Sequence, residues 1–189
     1  MIRGKYPGSY GSGNIFIGSR VSFAIAQDPG MTIFTQMAKV YLGIGSNIGD
    51  KEANCRRVIE QLSRAEDVEV IRASSFYLTE PIGGPPQNDY LNGILEIRTG
   101  LSPGNCLEVF KRIEGDMGRK PSGKDHPRAI DVDILLYDDK VQYTKDLEIP
   151  HPRMHEREFV LRGMMELAPD LIHPVFNRTI GELWKSLKK

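Results

Sequence analysis

At 189 residues, 40% of them hydrophobic, the chain has the length and apolar content of one globular domain, and 25 Lys and Arg balance 25 Asp and Glu. That neutrality argues against a general polyanion partner such as nucleic acid, so any phosphate site must be local. Two cysteines, Cys55 and Cys106, give neither a disulfide framework nor a cysteine zinc pattern, and no run of about 18 uncharged apolar residues offers a membrane span, so a cytoplasmic location is expected.

Residues 1–36 are rich in Gly and Ser at first and then lack a steady period, and read as a poorly ordered extension. A signal peptide ending at Ala24-Ile25-Ala26 is disfavoured, because Arg20 interrupts the apolar run. From residue 37 to 189 a single domain is expected. Val40, Leu42 and Ile44 alternate with Tyr41 and Gly43, which predicts a strand, and Gly45 to Asp50 turns out of it. Its Gly-x-Gly lacks dinucleotide spacing and a P-loop Lys-Ser/Thr, so it reads as a tight turn. Cys55, Val58, Ile59 and Leu62 at helical spacing predict a helix, and Val68 to Leu78 predicts one continuous second strand.

Thr79 to Asp89, with three prolines and two glycines, must be a loop. Tyr90 to Arg98 is a third strand, with Leu91, Leu95 and Ile97 on one face and Tyr90, Asn92, Ile94 and Glu96 on the other. Ser102-Pro103 opens a helix carrying Cys106, Phe110, Ile113 and Met117 and stopping at Gly118. Gly118 to Pro127 is expected to be a mobile, mainly basic loop. Past residue 137, a turn at Asp138-Asp139-Lys140, a short strand at Val141 to Tyr143 and an extended Leu147 to Pro152 precede a helix over Phe159 to Leu167. Thr179-Ile180-Gly181-Glu182 is a capping box for a last amphipathic helix in which Trp184 is read as core, while His155 and His173 are read as surface residues.

The stretch Pro127 to Tyr137 carries the chemistry. Strand alternation places Ile130, Val132, Ile134 and Leu136 on one face and Asp131 and Asp133 on the other. Adjacent carboxylates repel unless a proton or cation is shared between them, and such a pair can hold hard ions such as Mg²⁺. Arg128, just before them, suits a phosphate that the same ions would grip. On these residues alone, two solvated acids on an exposed sheet face remain the alternative. Tyr90 and Asn92 point the same way, one able to stack and the other to make paired hydrogen bonds, or else simply to cover a sheet end.

Strand, helix, strand, strand, helix, strand and an α-rich C-terminal tail predict an α+β, ferredoxin-like βαββαβ core, its antiparallel sheet carrying the helices. Its first and third strands would be central and the face away from the helices open. RNA-recognition modules share this order, but they need a basic surface rather than two acids on the open face.

From about Lys39 to Leu187 these motifs resemble the 6-hydroxymethyl-7,8-dihydropterin pyrophosphokinase family of folate biosynthesis. The resemblance is carried by Tyr41 to Asn47, Ser74 to Gly83 with Asp89-Tyr90-Leu91-Asn92, Pro127 to Ile134, and Ile149-Pro150-His151-Pro152 with Arg157-Glu158-Phe159. It implies an enzyme that moves pyrophosphate from ATP to the pterin hydroxymethyl group and releases AMP. By that resemblance Asp131 and Asp133 hold two Mg²⁺ ions on the triphosphate, and Arg119 and Arg128 neutralise phosphate charge. His151, Arg157 and Ile134 lie by the nucleotide; Tyr90 and Phe159 sandwich the pterin, and Asn92 with Thr79 and Ile82 reads its edge. The partners implied are these two small molecules, with no nucleic acid or membrane, and the enzyme is expected to act as a monomer. One departure is Asp125-His126-Pro127-Arg128 where the family commonly has Trp-Gly-Pro-Arg; others are Asp146 and Glu148, where some members place basic or hydroxyl groups. The rival expectation is a catalytically impaired homologue or a nucleic-acid-binding module of the same fold.

Overall fold

The computed structural model describes residues 37–82, 85–119 and 126–188; the expected N-terminal extension and most of the expected basic loop lie outside them. Strands β1 (Ala38–Ser46), β2 (Val68–Ala73), β3 (Tyr77–Thr79), β4 (Tyr90–Thr99) and β5 (Asp131–Tyr137) form one sheet, with helices α1 (Lys51–Arg64) and α2 (Pro103–Asp116) between them. The order is β2-β4-β1-β5, β3 also pairing with β4, and every pairing is antiparallel. This is the ferredoxin-like arrangement, with the first and third predicted strands, β1 and β4, at its centre.

Local chemistry sets the helix starts. Asp50 caps α1 by accepting from the Ala53 N–H at 2.9 Å, and Ser102 caps α2 from Asn105, with Pro103 just inside. Both helices lie on one face, where Val40, Leu42, Ile44, Leu95, Ile97, Val132 and Ile134 pack against Cys55, Val58, Leu62, Cys106 and Phe110.

The expected continuous strand over Val68 to Leu78 is broken at Ser74-Ser75-Phe76. Ala73 pairs with Leu95 but Tyr77 with Asn92, so three residues, Ser74 to Phe76, stand opposite two on β4. The Ser74 hydroxyl accepts from the Ile94 N–H while the Ser74 N–H donates to the Ile94 carbonyl, so a serine side chain takes over one rung of the ladder. Phe76 then folds over Gly93, where a Cβ would stand 2.6 Å from its ring.

A second correction concerns Leu136. The β1–β5 register shifts by one residue, Leu42 pairing with Ile134 and Tyr41 with Leu136, so Leu135 is bulged. Beyond that bulge the alternation reverses: Leu136 turns to the face away from α1 and α2, and Tyr137 takes its place beneath them.

Nor is that second face wholly open. A 3-10 turn at Met154–Glu156, helix α3 (Glu158–Leu167) and helix α4 (Ile180–Leu187) cover one end of it, burying Tyr41, Ile94, Leu135 and Leu136 against Met154, Val160, Leu161, Met164 and Leu183. Gly163 allows α3 to sit this low, since a Cβ there would be 2.4 Å from Ile94 Cγ1. Arg72 pairs with the buried Glu96 and donates to the Leu167 carbonyl at 2.9 Å, placing a cation at the C-terminal end of α3. The predicted capping box of α4 forms between Thr179 and Glu182.

Two small hairpins complete the tail, β6 (Gln142–Tyr143) with β7 (Glu148–Ile149), and β8 (Ile172–His173) with β9 (Arg178–Thr179). The second hairpin overturns the reading of His173 as a surface residue: it is 3% exposed, its ring stacks on Phe176, and its Nδ1 faces the N–H groups of Val175 and Phe176.

Candidate active site

The uncovered end of the second face forms the floor of a cleft of 1260 Å³. Strand β1 contributes Gly43 and Gly45 there, and the side chains they lack leave room for Leu135 beside Gly43 and for the Asn92 amide over Gly45. Gly45 is paired with Asn92 on one side and Asp131 on the other, and Gly43 with Ile94 and Asp133. The amide and the acid pair therefore flank one glycine strand, roughly 10 Å apart at two inter-strand spacings. A Cβ on Gly45 would stand 2.3 Å from Asn92 Oδ1, so a side chain there would displace the amide.

The acids occupy unlike environments. Asp131 is clamped, Oδ1 accepting from Arg119 Nη1 at 2.7 Å and Oδ2 from Arg128 Nη1 at 3.0 Å. Asp133 faces Arg157 Nη1 at 3.6 Å and His151 Nε2 at 4.0 Å, both beyond hydrogen-bond reach. Burial and the neighbouring Asp131 charge push the Asp133 carboxyl up to about 6, against the opposing pull of Arg157, Arg128 and Arg119. His151 is driven the other way, to about 4, by burial and by Arg157 and Arg153, so it is neutral near pH 7. Its Nδ1 accepts from the Arg153 N–H at 3.2 Å, which assigns the ring proton to Nε2, on the side of Asp133.

On the opposite wall, Asn92 donates to Thr79 Oγ1 at 2.7 Å, and the Tyr90 hydroxyl donates to Gln87 Oε1 at 3.2 Å. Phe159, at the start of α3, and the exposed Ile82 line the same cleft. The structure thus brings Arg119, Arg128, Asp131, Asp133, His151 and Arg157 together with Thr79, Ile82, Tyr90, Asn92 and Phe159 in one cleft. Ile134 is the exception. It is 4% exposed and its side chain lies in the core beneath α1 and α2, because strand alternation sends it away from the aspartates that precede it.

Sequence reasoning passed over two groups. Glu114, 5% exposed on α2, accepts from the Val132 N–H at 2.7 Å, satisfying the outer edge of β5, and also pairs with Arg119. Burial raises it to about 7. Its signal was an acid one residue after Ile113 on the apolar stripe. Asn47, in the turn after β1, bonds to the segments bearing Arg128 and Tyr90; a Gly-Ser-Asn turn gives no hint of partners so distant in sequence.

A family model described as 7,8-dihydro-6-hydroxymethylpterin-pyrophosphokinase matches residues 41–169. The chain belongs to that family. Among curated pyrophosphokinases it is 40% identical over 146 residues to the 2-amino-4-hydroxy-6-hydroxymethyldihydropteridine pyrophosphokinase of Aquifex aeolicus, covering 77% of this chain and 90% of that protein. The Bacillus subtilis pyrophosphokinase is 41% identical over 128 residues, or 68% and 77% of the two chains. The folic acid synthesis protein fol1 of Schizosaccharomyces pombe is 42% identical over 142 residues, 75% of this chain and only 19% of that longer protein. In fold, the chain superposes on the Plasmodium falciparum HPPK-DHPS structure with pteroate at a TM-score of 0.66 and 16% identity, covering 80% of this chain and 42% of that one.

At the position where the pyrophosphokinase pattern has a small residue and this chain has His126, Arg128 Nε donates to the main-chain carbonyl at 3.2 Å. Asp146 and Glu148 are exposed and do not line the cleft. Among the described residues no group of three or more His, Cys, Asp or Glu forms a metal cage, and no helix is long and apolar enough to cross a membrane.

Proposed function

We propose that this cleft joins ATP and 6-hydroxymethyl-7,8-dihydropterin: the hydroxymethyl oxygen attacks the β-phosphorus, the bond from that phosphorus to the α-phosphate oxygen breaks, and AMP leaves as the pterin gains a pyrophosphoryl group. The observation that carries this reading is that Gly45 lies between the acid pair on β5 and the Asn92 amide on β4, all within one cleft. Two substrates laid over one strand would meet there, and phosphoryl transfer needs positioning and charge stabilisation more than a covalent protein group.

The donor set fits Mg²⁺. Two adjacent carboxylates, one of them with no cation within hydrogen-bond distance among the described residues, would provide hard oxygen ligands. Asp131 and Asp133 would hold the two ions, which would supply charge neutralisation and acidification of the attacking hydroxyl. Arg119 and Arg128 hold Asp131 in the free protein and turn their guanidinium groups to phosphate when ATP enters. His151, neutral with its Nε2 proton, donates to a nucleotide oxygen beside Arg157. Tyr90 and Phe159 stack on the pterin ring, and Asn92, oriented by Thr79, reads its donor and acceptor edge. Residues 37–189 form the catalytic domain, working as a cytoplasmic monomer, with residues 1–36 outside it.

Chromatography of a reaction with Mg-ATP and the reduced hydroxymethylpterin tests this. AMP should appear in step with the pterin diphosphate. Formation of ADP contradicts the reading, and absence of turnover identifies an impaired homologue.

A further inference from the structure

One rung of the sheet runs straight across the cleft. Asp131 pairs with Gly45, Gly45 with Asn92 and Asn92 with Tyr77, and residues directly opposite on antiparallel strands share a face. From the acid to Tyr77 is three inter-strand spacings, about 14 Å. Tyr77 lines the cleft at the end of that rung, on β3, which pairs with β4 alone among the described strands. Its hydroxyl is buried and has no hydrogen-bond partner among the described residues. Buried tyrosine hydroxyls usually find one, so this position uses the ring rather than its polar tip. The Arg162 guanidinium lies over that ring, 4.1 Å from its centroid. Arg162 is exposed, lines the same cleft and stands one turn after Phe159 on α3, so the two share a helix face.

We propose that Tyr77 and Arg162 form the end wall of the ring site and determine its specificity: they fix how far a heterocycle can run along the rung, and they exclude substrates that carry a substituent on the ring edge farthest from the hydroxymethyl arm. This rests on the two-substrate reading above. With the reacting arm over the acids and an edge at Asn92, the far side of a bicyclic ring points along the rung to β3. There the tyrosine face is already taken by a cation, so an added alkyl group must either lift the guanidinium from the ring or draw the arm away from the acids. Either loss falls on the substituted substrate alone. Phe159 and Arg162 come from one helix, so the seat of that helix at Gly163 places the stacking ring and the wall together.

Steady-state turnover of 6-hydroxymethyl-7,8-dihydropterin and of its N2-methyl derivative, each at saturating Mg-ATP, tests the wall. The added methyl group stands on the exocyclic amine, at the edge away from the reacting arm. The wild-type protein should prefer the parent by about 10-fold or more in kcat/KM, the range that one misplaced methyl group commands in a shaped pocket. Arg162→Ala should bring that preference to within about threefold of one, with KM for ATP changed less than about twofold. Tyr77→Phe, which keeps the ring, should keep the preference; Tyr77→Ala should lose it, and decides the matter if Arg162→Ala does not fold. A pair that merely steadied the fold would slow both substrates and leave their ratio intact, and a preference that came from a hydrogen bond lost at the methylated amine would persist in every variant. A wild-type preference near one, a full preference in folded Arg162→Ala or Tyr77→Ala, or its loss in Tyr77→Phe overturns the wall and leaves the two-substrate reading in place. A wild-type protein that turns over neither substrate removes both.

Discussion

Asp131 and Asp133 are two residues apart and on one face, yet one holds two guanidinium groups within hydrogen-bond distance and the other none among the described residues. That asymmetry was not legible in the sequence. Alternation shows that both carboxylates share a face, but not that Arg119 reaches back from the end of α2, nor that Glu114 helps aim it. Ile134 shows the converse error: its place in the motif suggested a ligand contact, and the same alternation sends its side chain into the core. His173 carries a pH prediction. Its Nδ1 accepts main-chain N–H groups and its ring is buried, so the folded state holds it neutral and lowers it from the usual 6.5 to about 4. The unfolded state then binds the proton more readily, so this residue contributes stability fully above about pH 6.5 that is lost as pH falls towards 4, on the order of 2–3 kcal/mol. Asp133 and Glu114, raised by burial, act with opposite sign across part of the same window. Comparison with His173→Asn, which keeps an acceptor but cannot titrate, isolates the histidine. Urea denaturation should show the wild type losing more stability than the variant between pH 7 and pH 4, and identical slopes would contradict the assignment.

Element existence was readable wherever period and punctuation agreed: β1, α1, β4, α2, α3 and α4 lie within a residue or two of their expected bounds. The misses are of one kind. An extra residue at Leu135 and the break at Ser74 to Phe76 change which face later side chains take, yet Leu135 is apolar on either face and the Ser74 hydroxyl acts only because Gly93 admits Phe76. The tail was expected to leave the sheet face open because helical period shows that α3 is amphipathic without showing where its stripe docks. Gly163 is that docking point. Gly163→Ala should overpack against Ile94 and Ser74 and destabilise the fold by about 1–3 kcal/mol, read as a lower denaturation midpoint at constant slope. A neutral result would mean that α3 can lift from β4 without loss.

Across the whole molecule, one face of the sheet is sealed by α1 and α2 and the other is divided between a second core and a cleft. The division falls on β1, where Tyr41 belongs to the buried end and Gly43 and Gly45 to the cleft. Stability and chemistry are thereby separated along a single strand, the acid pair standing at the cleft end and the packing at the other. The ferredoxin-like order and the two walls of the cleft were legible from chain order and motif. The connections between the walls, through Asn47 and Glu114, are tertiary contacts at long separation and had no local signature. If the carboxylate pair gathers divalent ions onto a triphosphate, everything else in the cleft serves to place two substrates around it. The decisive measurement is the rate of AMP formation at saturating Mg-ATP and reduced pterin for Asp131→Ala and Asp133→Ala beside Asp139→Ala, an exposed acid one turn past β5. Both cleft variants should retain the wild-type denaturation transition and lose about a thousandfold or more in rate, as removal of a directly acting charged group does, with Asp139→Ala unchanged. Rates within tenfold of wild type in either cleft variant would contradict the account.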